Sequence, residues 1–218
     1  MRYLKKILYL IVLIGYSFSY AGSYDDFFGA LERDDVRTAQ ALLQRGFDPN
    51  SVHPDGQPAL IRALQQSSWA VAQLLAEQPS IQVEVRNRKD ESPLMLAALK
   101  GQLAICRQLI ARGADVNKPG WTPLHYAASS GNPELVQLML DHFAYIDAES
   151  PNGSTPLMMA ALYGTSEAVM VLLDAGADPT LKNGMGLGAL EFAQKGEHPD
   201  AVQYIIKALR SKKPTGSW

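Results

Sequence analysis

Cys106 and His125 are the side chains of this 218-residue sequence that could most readily do chemistry. A thiolate at Cys106 would act as a nucleophile or a redox sensor, and the imidazole of His125 would act as an acid or a base near neutral pH. Such chemistry needs a second group held against the first. The sequence contains Ser, His and Asp, but it has no nucleophile elbow and no pair of carboxylates on a common face. It therefore predicts that the chain is not an enzyme.

The other histidines and one glycine-rich stretch do not form a binding motif. His53, His142 and His198 fall in predicted turns or at predicted helix ends, each without a second ligand at a metal-binding spacing. Residues 184–188 contain three glycines, as a phosphate-binding loop does, but no strand precedes them and no Lys-Ser or Lys-Thr pair follows. We predict no metal site and no cofactor.

The N-terminal residues have the composition of a secretory signal peptide. Arg2, Lys5 and Lys6 precede an apolar run over residues 7–14, and Ser19-Tyr20-Ala21 provides a small-residue cleavage site. The apolar run is shorter than the roughly 18 residues that a spanning helix needs, so we expect cleavage after Ala21 and no stable membrane insertion. An uncleaved N-terminal anchor is the alternative. The predicted location is the periplasm or the secreted space.

Composition sets two further limits. The chain is 47% hydrophobic with a formal net charge of −2, which favours a packed core and excludes a nucleic-acid-binding surface. Export would place the protein in an oxidising compartment, but Cys106 is the only cysteine, so no intramolecular disulfide can form. Stability must come from packing.

A short block recurs along the sequence every 33 residues or so, at Ser92-Pro93-Leu94, Thr122-Pro123-Leu124 and Thr155-Pro156-Leu157. Ser or Thr can cap the free N–H groups of a helix, and proline fits the first helical position. Alanine pairs and then a glycine follow, which predicts a short helix that ends at the glycine. Weaker copies start at Pro58 and Gly188.

A second helix is predicted in each block, with one apolar stripe at i, i+3 and i+4. Counting from the capping position places Cys106 where the sister blocks have valine, so we predict that Cys106 is a buried core residue. The same count recovers a first block with Asp25 as its cap, which makes six units. The stripe residues are Cys106, Leu109, Ile110; Val136, Met139, Leu140; Val169, Leu172, Leu173; and Val202, Ile205, Ile206.

Thr122-Pro-Leu-His-Tyr-Ala-Ala and Gly113-Ala-Asp-Val-Asn closely match the pattern of ankyrin repeats, and the chain resembles an ankyrin-repeat protein from about Tyr24 to Leu209. The resemblance implies an all-α solenoid of about six helix-turn-helix units with β-hairpin-like fingers. It also implies that His125 hydrogen-bonds locally and ties the turn to its helix. The expected organisation is a signal peptide (1–21), a repeat domain (22–210) and a flexible tail (211–218), with units near 22–54, 55–87, 88–117, 118–150, 151–183 and 184–210.

Two connections depart from the repeat. The connection containing Asn117–Gly120 has lost three residues, which predicts a stunted finger. The connection over residues 78–86 alternates apolar residues, which predicts a longer and more strand-like finger. The last unit has polar residues on its outer face and Gly188 at the capping position, as expected for a C-terminal capping unit.

The resemblance also implies where a partner would bind. In ankyrin-like proteins, partners lie along the concave side and contact the fingers and the two residues after each alanine pair. These positions predict an apolar groove floor with a basic entrance, although any single residue could instead pack finger against helix. The predicted partner-binding residues are Arg88, Lys89, Leu99, Lys100, Trp121, Leu162, Tyr163, Met185 and Leu187.

These observations favour a non-catalytic, monomeric adaptor that binds one protein partner. An exported effector that binds a host protein, and a redox protein that uses Cys106 or His125, are the alternatives. Resemblance to small exported bacterial ankyrin-repeat proteins points to a catalase or another peroxide-defence component as the partner.

Overall fold

The computed structural model describes residues 22–211 and contains twelve α-helices in that range. The described residues divide into two compact units, one that ends at Gln82 and one that begins at Val83. The predicted signal peptide and residues 212–218 of the predicted tail lie outside the described residues.

The first unit contains two helix pairs. Its helices are α1 (22–32), α2 (Val36–Gln44), α3 (Ala59–Gln66) and α4 (Trp69–Glu77). Asp35 caps α2, since its carboxylate accepts the N–H of Thr38 at 3.2 Å, and the hydrogen bonds from Thr38 lower the pKa of Asp35. Asp34 caps α4 by accepting the N–H of Val71 at 2.9 Å. Asp25 lies inside α1 rather than before it, so the prediction of Asp25 as a cap is wrong.

The second unit contains four helix pairs. Its helices are α5 (Pro93–Leu99), α6 (Leu103–Ala111), α7 (Pro123–Ser130), α8 (Pro133–Asp141), α9 (Pro156–Tyr163), α10 (Ser166–Asp174), α11 (Ala189–Lys195) and α12 (Pro199–Ser211).

The predicted caps of α5, α7 and α9 are confirmed. Ser92, Thr122 and Thr155 each accept the backbone N–H of the residue three positions later, with proline at the first helical position. In return, the backbone N–H of Thr122 donates to Nδ1 of His125, and that of Thr155 donates to the sulfur of Met158. Gly188, which has no side chain, is the N-cap of α11, and its N–H donates to the Glu191 carboxylate at 2.8 Å.

Small residues allow α7 and α9 to pack closely. A Cβ added at Gly164 would lie 2.4 Å from the carbonyl oxygen of Ala128 and 2.8 Å from that of Ala160. The second helices contribute the other side of the core, where Cys106, Val136 and other stripe residues are fully buried. The prediction that Cys106 is a core residue is confirmed.

The fingers are turns rather than strands in residues 22–211, with isolated antiparallel bridges at Val52–Pro58 and Lys182–Gly188. Eleven residues (112–122) separate α6 from α7, whereas fourteen residues (142–155) separate α8 from α9. The shortened connection is therefore present. Residues 78–82 of the first unit and 83–86 of the second form no strand, so the prediction of a strand-like finger there is wrong.

None of the helices in the described part of the chain is long and apolar enough to cross a membrane.

Candidate functional site

The second unit contains an apolar cavity of about 440 Å³ between α5, α7 and α9, which we call the Trp121 cavity. Its lining combines aromatic rings with Leu and Met side chains, which is the usual composition of a binding pocket. The lining residues are Leu99, Trp121, His125, Tyr126, Ser129, Met159 and Tyr163.

Helical spacing brings these side chains together. His125 and Ser129 lie one turn apart on α7, and Met159 and Tyr163 lie one turn apart on α9, so each pair shares a helix face. Leu99 is the last residue of α5. The cavity is therefore formed by three successive first helices of the repeat.

His125 is completely buried beneath the cavity, and both of its ring nitrogens have partners. Nδ1 accepts the backbone N–H of Thr122 at 3.2 Å, so Nε2 carries the proton and donates to the carbonyl of Ser154 at 2.9 Å. Burial lowers the pKa of His125 to about 4. The imidazole is neutral at pH 7. Its bond to Thr122 ties the turn to α7, as the resemblance implies, and its bond to Ser154 joins α7 to the next repeat, which was not predicted.

Trp121 stands directly before the cap of α7 and is half-buried. Its indole packs edge-to-face on the ring of His125, with centroids 5.2 Å apart and an interplanar angle of 76°. The buried His125 network therefore fixes the indole that the cavity presents.

Tyr126 forms another wall of the cavity, and a carboxylate fixes its position. The phenol donates to Oε1 of Glu91 at 3.1 Å, and the side-chain amide of Asn87 donates to Oε2 of Glu91 at 2.6 Å. Burial and then the charge of Glu91 raise the pKa of Tyr126, so the phenol stays protonated. This wall of the cavity is therefore held by hydrogen bonds, and its phenol is uncharged.

The structure brings three predicted binding residues together in the cavity: Leu99, Trp121 and Tyr163. Tyr163 is 65% exposed and Leu99 is 39% exposed, so both form an open rim. The six other predicted residues do not line the cavity. Five of them are exposed and one is half-buried: Arg88, Lys89, Lys100, Met185, Leu187 and, half-buried, Leu162.

The sequence prediction missed three lining residues: His125, Tyr126 and Met159. The fourth, Ser129, directly follows an alanine pair and so lies at a position where contact with a partner was predicted. Met159 lies one turn before exposed Tyr163 on α9, and His125 lies one turn before half-buried Ser129 on α7. The i, i+4 rule applied to Tyr163 would have found Met159.

The structure offers no reactive group at this site. Cys106 is completely buried on α6, and burial raises the pKa of its thiol to about 12. Among residues 22–211, no group of three or more His, Cys, Asp or Glu side chains could hold a metal ion.

Three features of this chain are shared by one protein family. They are the helix pairs with Ser/Thr-Pro caps, the turn-like fingers, and the cavity on the side of the first helices. The family profile described as ankyrin repeats (3 copies) matches residues 27–119, 116–183 and 145–215. The chain belongs to the ankyrin-repeat family. The all-α ankyrin-repeat fold predicted from the sequence is confirmed, and ankyrin repeats are generally protein–protein interaction modules.

Other proteins share these repeats. The crystal structure of an ankyrin repeat domain from Acinetobacter baumannii AYE superposes with a TM-score of 0.71 at 25% identity, covering 85% of this chain and 98% of that one. The mouse B-cell lymphoma 3 protein homolog is 33% identical over 149 residues, covering 65% of this chain and 33% of its own length. The rat ankyrin repeat and SAM domain-containing protein 6 is 32% identical over 109 residues, covering 48% of this chain and 12% of its own length. This chain thus spans a third or less of these two curated relatives.

The ankyrin-repeat chain has a second aromatic region that the sequence prediction missed entirely. Phe143 is 84% exposed and Tyr145 is 69% exposed, in the connection between α8 and α9. We call residues 142–147 the Phe143–Tyr145 loop. It shares no residue with the Trp121 cavity.

Proposed function

We propose that this ankyrin-repeat chain is a non-catalytic adaptor that acts in the periplasm or the secreted space and holds a protein partner at the Trp121 cavity. The observation that carries the proposal is the cavity itself, with half-buried Trp121 and exposed Tyr163 on the side formed by α5, α7 and α9. Trp and Tyr side chains contribute most of the affinity in many protein interfaces.

The cavity has the properties of a preformed binding site for an apolar anchor side chain. Its aromatic walls are held in place by hydrogen bonds to Thr122, Ser154 and Glu91, so a partner need not order them on binding. The open rim at Leu99 and Tyr163 leaves apolar area that a partner can bury at roughly 25 cal/mol per Å².

Exported location is the second part of the proposal and is supported by the N-terminal sequence. Arg2, Lys5 and Lys6 before an apolar run, followed by Ala21, favour cleavage and export. The alternative of a secreted effector that binds a host protein differs in destination. Recovery of the chain from a periplasmic extract, with a mature N-terminus at Gly22, supports the adaptor; recovery from the culture medium supports the effector.

The thiol-dependent redox alternative has no support in the geometry. Cys106 is buried with a raised pKa, so the thiolate needed for reaction is not formed at neutral pH. His125 is neutral and has hydrogen bonds at both nitrogens. A catalase or another peroxide-defence component, suggested by family resemblance, is one protein partner that the experiment below would identify or exclude.

Crosslinking and affinity capture from the native compartment test the binding proposal. The wild-type chain is compared with the double variant Trp121→Ala/Tyr163→Ala, which removes two walls of the cavity. The control double variant is Met170→Ala/Tyr204→Ala, because Met170 and Tyr204 are also exposed apolar residues but line a different groove, between α10 and α12.

We expect the cavity variant to lose its captured protein and the control to retain it, with similar melting temperatures for all three chains. Captured proteins that are unchanged in the cavity variant would contradict the proposal. Loss of capture in the control as well would show that the loss is not specific to the cavity and would also contradict the proposal.

A further inference from the structure

The Phe143–Tyr145 loop breaks the repeat at two positions. In the preceding and following repeats the residue at the position of Phe143 is glycine, and the residue at the position of Tyr145 is aspartate. These sister residues are Gly113 and Asp115 before the loop, and Gly176 and Asp178 after it. Where the sister repeats have a glycine and an aspartate, this connection has two exposed aromatic side chains.

Phe143 has a backbone conformation that aromatic residues rarely adopt. Its φ angle is +64°, in the left-handed region, where the equivalent glycines 113 and 176 have φ angles of +87° and +99°. A bulky residue is strained there, and its 84% exposed ring gains no compensating burial within the described chain. Folding therefore does not explain this phenylalanine.

The loop is held in one shape by the shortened connection before it. The side-chain amide of Asn117 donates to the carbonyl of Phe143 at 2.8 Å, and its oxygen accepts the N–H of Tyr145 at 2.8 Å. The N–H of Ala148 donates to the carbonyl of Tyr145 at 3.1 Å, which closes the following turn. The two rings are thus presented on an ordered backbone, which lowers the entropy lost on binding.

The sequence around the Phe143–Tyr145 loop carries only acidic residues among its Asp, Glu, Lys and Arg positions. Between Lys118 and Lys182 the sequence has seven Asp and Glu residues and no Lys or Arg. Asp141 and Asp147 stand on either side of the two aromatic residues. Lys118, at the near boundary, is paired with Asp90. An incoming segment would therefore meet two exposed rings that are flanked in the sequence by the carboxylates of Asp141 and Asp147.

We propose that the Phe143–Tyr145 loop is a second interaction surface, which binds a basic segment of a protein partner. Lys and Arg side chains of that segment would pair with the flanking carboxylates of Asp141 and Asp147 and lie against the two rings, which attract cations over their faces. A second copy of this chain fits poorly, because the same acidic stretch would face itself. An anionic lipid surface is repelled for the same reason.

Selection of peptides from a displayed library of random dodecapeptides tests the proposal with the purified chain. The test variant is Phe143→Gly/Tyr145→Asp, which has the residues of the sister repeats at both positions. Glycine adopts the left-handed conformation without strain, so the variant should fold at least as well as the wild type. The control is Trp121→Ala/Tyr163→Ala, which leaves the loop intact.

We expect enriched peptides that carry several Lys or Arg residues, bind more weakly as salt is raised, and lose about tenfold or more in affinity on the loop variant. The Trp121→Ala/Tyr163→Ala chain should retain them. The proposal is overturned if no peptide is enriched, if the enriched peptides lack basic residues, or if they bind the loop variant as well as the wild type. Loss of these peptides on the cavity variant alone would place them at the Trp121 cavity instead.

Discussion

Trp121 and the Phe143–Tyr145 loop both belong to the fourth repeat, but their aromatic residues are supported differently. Trp121 packs on a buried histidine whose ring nitrogens are both hydrogen-bonded. Phe143 is held in a left-handed conformation with its ring in solvent. The cavity uses the repeat scaffold, whereas the loop departs from it. Changes beneath the cavity should therefore lower stability, and changes in the loop should preserve or raise it.

The largest effect is expected beneath the cavity, at Gly164→Ala. The new Cβ would lie 2.4 Å from the Ala128 carbonyl oxygen, which forces α7 and α9 apart. We expect a loss of about 4 kcal/mol in the free energy of unfolding, measured by urea denaturation. The control is Gly113→Ala, which has a positive φ but an open surrounding and should cost about 1 kcal/mol. Equal losses in the two variants would show that helix approach is not the constraint.

Acid should weaken the same support through His125. Burial lowers its pKa from 6.5 to about 4, so between these values the unfolded chain binds the proton and the folded chain does not. The contribution of neutral His125 to the free energy of unfolding is fully present above pH 6.5. It is lost as the pH falls toward 4, and the total loss is about 3 kcal/mol.

The matched variant for this pH effect is His125→Met, because Met95 and Met158 occupy the same position in the neighbouring repeats and accept the same capping N–H. Methionine does not titrate, so denaturation curves of the variant should show a smaller decrease between pH 6.5 and 4. If the free energy of unfolding fell equally with pH in the two chains, His125 would not be the source of the acid sensitivity.

A gain in stability is expected in the loop, at Phe143→Gly. Glycine adopts the +64° φ angle without strain, so the free energy of unfolding should rise by about 1 kcal/mol. Thermal melting of the wild type and the variant checks this. A decrease would mean that the phenyl ring makes stabilising contacts and would remove the contrast between the two regions.

The smallest effects are expected for Tyr163→Ala at the cavity rim and Tyr145→Ala in the loop. Both side chains are mostly exposed, so each change should alter the free energy of unfolding by about 0.5 kcal/mol or less. Urea denaturation midpoints of the two variants, each compared with the wild type, measure these losses. A clearly larger loss for Tyr163 would show that the rim is part of the scaffold rather than an open surface.

Features that depend only on residues within one repeat could be predicted from the sequence. Thr122 and Thr155 cap their helices, and Cys106 is buried, because spacing within one helix pair fixes these roles. Asp25 was misassigned because the first unit lacks the Ser/Thr-Pro pair that marks a helix start. The alternation of Ile81, Val83 and Val85 predicts a strand, but these residues are half-buried in a connection that forms neither strand nor helix.

The candidate sites depend on neighbouring repeats, and local patterns do not show them. Tyr126 and Met159 line the cavity because α7 and α9 lie side by side, which requires both helices and their separation. Phe143 and Tyr145 stand at positions where glycine and aspartate mark a turn, so the repeat pattern assigned them to the connection. Their exposure follows from the left-handed backbone at Phe143.

The bond from His125 to the carbonyl of Ser154 also bears on how the array unfolds. In a linear repeat protein, stability is roughly a sum of separate repeat terms and nearest-neighbour interface terms. The bond joins α7 to the residue before the cap of α9, so it belongs to an interface term. Of the three Ser/Thr-Pro repeats, this one alone has a titrating side chain at that position. Mild acid therefore weakens a single junction of the array, and cooperativity is lost between the fourth and fifth repeats before it is lost within either of them.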